Sequence, residues 1–124
     1  MHRRIKVLLV EDSIEDAAYT EKVLKFHRMK EDLVLATSGQ EAIKALEGTP
    51  PDLILLDINL PDMSGIDLLT RIKEDPRLSG IPVVMLTGSN EDLDIQMCYD
   101  RGARTYLVKP VSERDFAVVM NNLF

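Results

Sequence analysis

The 124-residue chain has little of several residue types, and each shortage excludes a class of protein. Its one cysteine, Cys98, can form neither an internal disulfide nor a cysteine-based zinc site, and favours a reducing, cytoplasmic location. No apolar run approaches the roughly 20 residues that a membrane-spanning helix needs. The basic start, Met1–Arg4, leads into an apolar stretch that ends at Val10, which is not the pattern of a signal peptide.

The chain also lacks an excess of basic residues. Its 15 lysines and arginines stand against 21 acids, which gives a net charge of −6 and argues against a nucleic-acid-binding domain. Hydrophobic residues make up 45% and charged residues 29%, so the chain is neither collagen-like nor disordered. The length predicts one domain, residues 1–124, able to bury a core of its own.

Short apolar runs alternate with stretches of helical character. The runs are Ile5–Val10, Leu33–Thr37, Leu53–Asp57, Pro82–Thr87 and Thr105–Val108. The first, third and fourth are apolar at nearly every residue, which is typical of central parallel strands covered on both faces. The pattern predicts an α/β fold with helices on both faces of the sheet.

Serines mark the starts of three predicted helices. The spacing from Ser38 to Glu41 is that of a capping box, and Ser64 and Ser112 each stand before a stretch with a regular apolar stripe. Two further helices, with less regular apolar stripes, are predicted at about Ile14–Arg28 and Glu91–Arg101.

Polar residues end or directly follow four of the apolar runs, and the carboxyl ends of parallel strands form the ligand-binding edge of an open sheet. These residues are Glu11, Asp12, Asp57, Thr87 and Lys109. Three converging carboxylates repel one another unless a cation lies between them, and such oxygen ligands suit Mg²⁺. A carboxylate nucleophile, a lysine and a hydroxyl are also the parts that phosphoryl transfer needs, so Asp57 is the predicted site of an aspartyl phosphate.

Four motifs occur in the order and spacing of a known family. They are VLLVEDS (Val7–Ser13), LILLDINLPDMSG (Leu53–Gly65), PVVMLTG (Pro82–Gly88) and GARTYLVKP (Gly102–Pro110). Over Ile5–Phe124 the chain resembles the receiver domain of two-component response regulators. The resemblance implies a flavodoxin-like (βα)5 three-layer sandwich with a parallel sheet in the order 2-1-3-4-5.

The resemblance also implies a role for each site residue. Asp57 matches the phosphoacceptor, and the metal ligands would be Glu11, Asp12, Asp57 and the backbone carbonyl of Asn59. The metal would be Mg²⁺, with Mn²⁺ as a substitute. The remaining matches are Thr87 as switch hydroxyl, Lys109 as the phosphoryl-contacting lysine, Tyr106 as switch aromatic, and a cis bond between Lys109 and Pro110.

The function implied is a phosphoacceptor switch in a His-Asp phosphorelay. A sensor histidine kinase or a histidine phosphotransfer protein would donate the phosphoryl group, and the chain would catalyse only its own phosphotransfer and autodephosphorylation. The output surface would be the face formed by helix 4, strand 5 and helix 5, which would bind a downstream protein rather than nucleic acid. Homodimerisation through that face stays open. We expect a stand-alone receiver.

Three other interpretations compete with this one. The chain could be a receiver cut from a longer regulator with a DNA-binding or enzymatic output domain. An aspartate-nucleophile phosphohydrolase of the haloacid-dehalogenase type would have a second aspartate where Asn59 stands. A dinucleotide-binding module is disfavoured because the first strand–helix turn of this chain, EDSIED, has no glycine and has four acids where the phosphates would have to bind.

Overall fold

The computed structural model describes residues 5–26, 32–88 and 92–124, and in these ranges five strands alternate with five helices. The strands are Lys6–Val10 (β1), Asp32–Ala36 (β2), Leu53–Asp57 (β3), Val83–Thr87 (β4) and Thr105–Val108 (β5). The helices are Ile14–Phe26 (α1), Gly39–Ala45 (α2), Gly65–Glu74 (α3), Asp92–Asp100 (α4) and Glu113–Leu123 (α5).

All five strands are parallel and lie in the order β2-β1-β3-β4-β5. The predicted flavodoxin-like arrangement is therefore confirmed. Every residue of β3 and β4 is buried, as expected of central strands covered on both faces. By contrast β2 lies at the edge of the sheet and leaves Val34 and Leu35 partly exposed, which explains its weaker apolar signal in the sequence.

Two apolar cores lie between the sheet and the helices on its opposite faces, so that helices, sheet and helices form the three layers of the sandwich. The first packs alternate strand residues against α2, α3 and α4, and includes Ala42, Leu69, Ile72 and Cys98. The second packs the other strand residues against α1 and α5, and includes Leu24 and Phe116. This division follows from the strand period of two, which sends successive side chains to opposite faces.

The serine caps are found where the sequence predicts them, with one difference in the partner of Glu41. Ser38, Ser64 and Ser112 each accept a hydrogen bond from an amide in the first turn of α2, α3 and α5. A capping box would place the Glu41 carboxylate on the amide of Ser38. Instead it accepts from both the amide and the hydroxyl of Thr37, two donors in place of one.

Helix α2 is held at both ends by side chains from the segments that flank α3. The Asp62 carboxylate accepts from the amides of Gly39 (2.8 Å) and Gln40 (2.9 Å) at its N-terminus. The Arg77 guanidinium donates to the carbonyl of Gly48 (3.1 Å) just beyond its C-terminus. An acid at the start and a base at the end match the helix dipole. Seven residues are too few for a helix to be stable alone, so these contacts matter to α2.

Most predicted element boundaries agree with the structure to within one or two residues. Strands β3 and β5 coincide with the predicted ranges, whereas the others begin or end one residue away. The first helix is confirmed to Phe26, and its predicted end at Arg28 lies outside the described residues. Among the helices in the described ranges, none has the length and apolar character needed to cross a membrane.

A matched pair of leucine truncations tests this assignment of the core. Leu55 in β3 is fully buried, whereas Leu35 in β2 is 45% exposed. We expect Leu55→Ala to lower the free energy of unfolding by about 2–5 kcal/mol, because it leaves a cavity. Leu35→Ala should cost about 0.5 kcal/mol or less. Urea denaturation measures both, and equal losses would contradict the proposed positions of these strands.

A second test concerns the acid that caps α2. Hydrogen bonds from the amides of Gly39 and Gln40 lower the pKa of Asp62. A lowered pKa gives stability that is present above the unfolded-state pKa of about 3.9 and is lost as the pH falls through the folded-state value. We therefore expect Asp62→Ala to lower Tm at pH 7, with the difference from wild type disappearing in acid.

The control is Glu47→Ala, which removes an exposed acid just beyond the other end of α2. The dipole there disfavours negative charge, so this change should not lower Tm. A Tm difference for Asp62→Ala that stays constant down to pH 2 would contradict the charged cap.

Candidate functional site

The strand register brings the predicted site residues to one edge of the sheet. Val10 lies beside Leu56, so the next residues along these neighbouring strands, Glu11 and Asp57, emerge side by side. Thr87 of β4 lies beside Val108 of β5, and Lys109 is the residue after Val108, so it emerges at the same edge. Parallel pairing therefore turns four separate strand ends into one cluster of side chains.

The ammonium of Lys109 is the centre of this cluster. It donates to Asp57 Oδ2 (2.9 Å), to Glu11 Oε1 (3.0 Å) and to Asp16 Oδ2 (3.2 Å). Its own side chain is 17% exposed, and those of Glu11 and Asp57 are 0% and 4% exposed. Two buried carboxylates thus share one positive charge in a region of low effective dielectric, where the pairing is strong.

This crowding of charge shifts the pKa values of both kinds of group. Burial, aided by the nearby Asp57 carboxylate, raises the pKa of Glu11 to about 7. Burial alone would lower the pKa of Lys109, but the hydrogen bonds and charges of Asp57 and Glu11 outweigh it and raise that pKa above its usual value. Three carboxylates, those of Glu11, Asp16 and Asp57, accept from this one ammonium, so its single positive charge does not balance the acids around it.

The carboxylates of Glu11, Asp12 and Asp57 are placed to bind a cation. One oxygen from each lies within 4.8 Å of the others, and Asp12 is exposed while its two neighbours are buried. The opening is therefore on the Asp12 side. These hard oxygen donors, with their uncompensated negative charge, fit a divalent metal such as Mg²⁺ or Mn²⁺.

The loop after β3 fixes the orientation of Asp57. The amide of Asn59 donates to Asp57 Oδ1 (3.0 Å), so both carboxylate oxygens have a donor. The chain then returns, and Gly65 at the start of α3 donates its amide to the Ile58 carbonyl (2.6 Å). A Cβ on Gly65 would lie 2.0 Å from the Asp57 carbonyl oxygen, so only glycine allows this close approach.

The predicted switch residues lie on the next two strands of the sheet after β3, Thr87 on β4 and Tyr106 on β5. Asp57 pairs with Leu86, so Thr87 is one residue further along the neighbouring strand, and it is 5% exposed. Tyr106 on β5 is half-buried and meets Tyr99 of α4 edge to face, with ring centroids 6.4 Å apart. A Cβ at Gly88 would meet no atom within 4 Å outside its chain neighbours.

The structure brings together Glu11, Asp12, Asp57 and Lys109, and the Lys109–Pro110 bond is cis. It links Asn59 to the site through the amide, and the metal-binding role of its carbonyl stays a prediction. Ser89, which follows Gly88 after the fourth apolar run, and His27, near the end of the first predicted helix, lie outside the described residues. Sequence reasoning missed Asp16, which is one of the four acids of the EDSIED segment after β1 but is not marked there by any sequence period.

Comparison with known proteins gives a consistent result. The response regulator receiver domain family matches residues 7–121. Response regulator Rcp1 from Synechocystis is 38% identical over 116 residues, which cover 88% of this chain and 79% of Rcp1. The solved Mn²⁺-bound form of Rcp1 is similar in structure, with a TM-score of 0.79 and 35% identity. The match covers 96% of this chain and 91% of the Rcp1 chain.

The bacteriophytochrome response regulator AtBRR is also similar in structure. Its TM-score is 0.86 at 33% identity, and the match covers 98% of this chain and 94% of that one. Other curated relatives are longer. The chain is 37% identical to the transcriptional regulatory protein AfsQ1 from Streptomyces coelicolor, over 87% of this chain and 46% of that protein. It spans 23% of a Vibrio cholerae relative.

The family match covers nearly the whole chain, and the sheet order and acidic strand ends described above agree with it. The chain belongs to the response regulator receiver domain family, the phosphoacceptor switches of two-component signalling.

Proposed function

We propose that Asp57 is the residue that accepts the phosphoryl group. The observation that carries the proposal is its environment: a buried carboxylate at a strand end, held between the Lys109 ammonium and the Asn59 amide. Glu11 and Asp12 stand beside it with their own carboxylates. This arrangement orients a weak nucleophile and supplies positive charge next to it.

The transfer then proceeds by direct displacement from a phosphohistidine on a sensor kinase or a histidine phosphotransfer protein. An Asp57 carboxylate oxygen forms the new P–O bond, and the P–N bond to the donor imidazole breaks with its electron pair going to nitrogen. Lys109 moves its hydrogen bond from the carboxylate to a phosphoryl oxygen, where it offsets developing negative charge. Thr87, one strand away, donates to another phosphoryl oxygen.

Glu11, Asp12, Asp57 and the Asn59 carbonyl would hold the metal, Mg²⁺ in the first place and Mn²⁺ as a substitute. Receiver domains bind these ions in an acidic pocket, and the Mn²⁺-bound form of Rcp1 is a solved example. When bound, the ion offsets charge on the phosphoryl oxygens and lowers the repulsion among the carboxylates.

The change at Asp57 would reach the surface through Thr87 and Tyr106. Movement of Thr87 toward the phosphoryl group leaves space for Tyr106 to turn inward, which biases an existing two-state equilibrium. The face formed by α4, β5 and α5 carries exposed Met97, Tyr99 and Val118, which suit a downstream protein partner or a second copy of the chain.

Residues 1–124 would act as a single receiver domain that catalyses only its own phosphorylation and dephosphorylation. A cytoplasmic location stays a prediction from cysteine content. The phosphohydrolase alternative gains nothing from the geometry, because Asn59 meets Asp57 through its backbone amide and offers no second carboxylate there.

The first test is chemical. We expect incubation with acetyl phosphate and Mg²⁺ to add one phosphate to the wild type, seen by intact mass, and none to Asp57→Asn. Removing the metal with EDTA should abolish the adduct, because the carboxylates would then repel the donor. An equal adduct on Asp57→Asn, or none on the wild type, would show that Asp57 is not the acceptor.

The second test concerns the metal alone. Mg²⁺ that binds the folded chain raises Tm by mass action, and the size of the shift reports its affinity. Asp12→Asn removes one predicted ligand, so we expect at least about a tenfold weaker affinity from the Tm shifts. Glu15→Gln removes the same charge from an exposed residue nearby and should leave the affinity nearly unchanged. Equal losses in the two variants would mean that Asp12 acts only through net charge.

A further inference from the structure

The contacts of Lys109 assign a role to Asp16. A lysine ammonium has three N–H donors, and the structure shows three acceptors within hydrogen-bond distance, Glu11, Asp57 and Asp16. The ammonium is therefore fully engaged before any phosphoryl group arrives. The first two acceptors belong to the phosphoryl and metal site, whereas Asp16 is the third residue of α1.

The third acceptor is held in place by local structure. Its amide donates to Ser13 Oγ (3.2 Å), and the Ser13 amide donates in turn to Glu11 Oε2 (3.3 Å). This turn fixes the start of α1 beside the site and directs the Asp16 carboxylate toward Lys109. The Asp16 side chain is 47% exposed, so its carboxylate meets the ammonium at the rim, on the side open to solvent.

Resting on the function proposed above, we propose that Asp16 is a positioning residue that restrains Lys109 and slows phosphorylation of Asp57. For Lys109 to donate to a phosphoryl oxygen, one existing hydrogen bond must break, and the bond to Asp16 is the longest and most exposed of the three. The Asp16 charge also repels an anionic donor at the rim. Both effects raise the barrier to transfer and leave the fold unchanged.

Acetyl phosphate provides a simple form of the reaction for the test. The Asp57 oxygen forms the new P–O bond, the donor's P–O bond to acetate breaks, and acetate leaves with the electron pair. With saturating Mg²⁺, we expect Asp16→Asn to raise the initial rate of adduct formation about two- to fivefold, the range set by the strength of exposed ion pairs. The Tm should stay close to that of wild type.

The matched control is Glu15→Gln, which removes one negative charge from the same turn of α1 at an exposed residue. It reports the general effect of charge, so its rate should rise clearly less. An Asp16→Asn rate equal to or below that of wild type, or an equal rise in both variants, would overturn the proposal.

A second measurement tests the restraint whether or not the chain accepts a phosphoryl group. The ¹⁵N resonance of the Lys109 ammonium, assigned by its loss in Lys109→Arg, should shift in Asp16→Asn and stay in place in Glu15→Gln. An unchanged resonance in Asp16→Asn would overturn the role of Asp16 by itself. Failure of the wild type to form an adduct would instead count against Asp57 as acceptor.

Discussion

One ion-pair cluster, the Lys109 ammonium among carboxylates at the carboxyl edge of the sheet, governs the rest of the site. Glu11 and Asp57 are almost completely buried, and buried carboxylates are costly unless a positive charge and hydrogen bonds accompany them. Lys109 supplies that charge only in part, because Glu11, Asp57 and Asp16 share its one ammonium. This shortage of positive charge makes the site suited to a divalent metal, and to a phosphoryl donor that binds together with a divalent metal.

The fold keeps this unfavourable arrangement in place by means that lie outside the cluster. Two all-buried strands, β3 and β4, fix where Asp57 and Thr87 end up. Glycine at position 65 lets α3 start directly against the end of β3, and the Asp62 cap ties the same loop to α2. The stability of the apolar cores therefore holds together charges that would separate in a less rigid framework.

The sequence alone predicts much of this fold, for identifiable reasons. The central strands are visible because burial on both faces removes polar residues from them, and the site follows because parallel strands end at a common edge. What could not be predicted depends on where long side chains reach in three dimensions. The contact of Asp16 with Lys109 was missed, and Glu41 accepts from Thr37 rather than from the Ser38 amide that a capping box would use. Both contacts depend on side-chain conformation rather than on a sequence period.

In the proposed function Asp57, rather than one of several neighbouring acids, carries the phosphoryl group. Borohydride reduces an aspartyl phosphate to homoserine, so peptide mapping after phosphorylation and reduction locates the modified residue directly. When the wild-type chain is treated with acetyl phosphate and Mg²⁺ and then reduced, we expect homoserine at position 57 and at no other acid. Homoserine at position 12 or 16, or unmodified aspartate at position 57 in a phosphorylated sample, would contradict it.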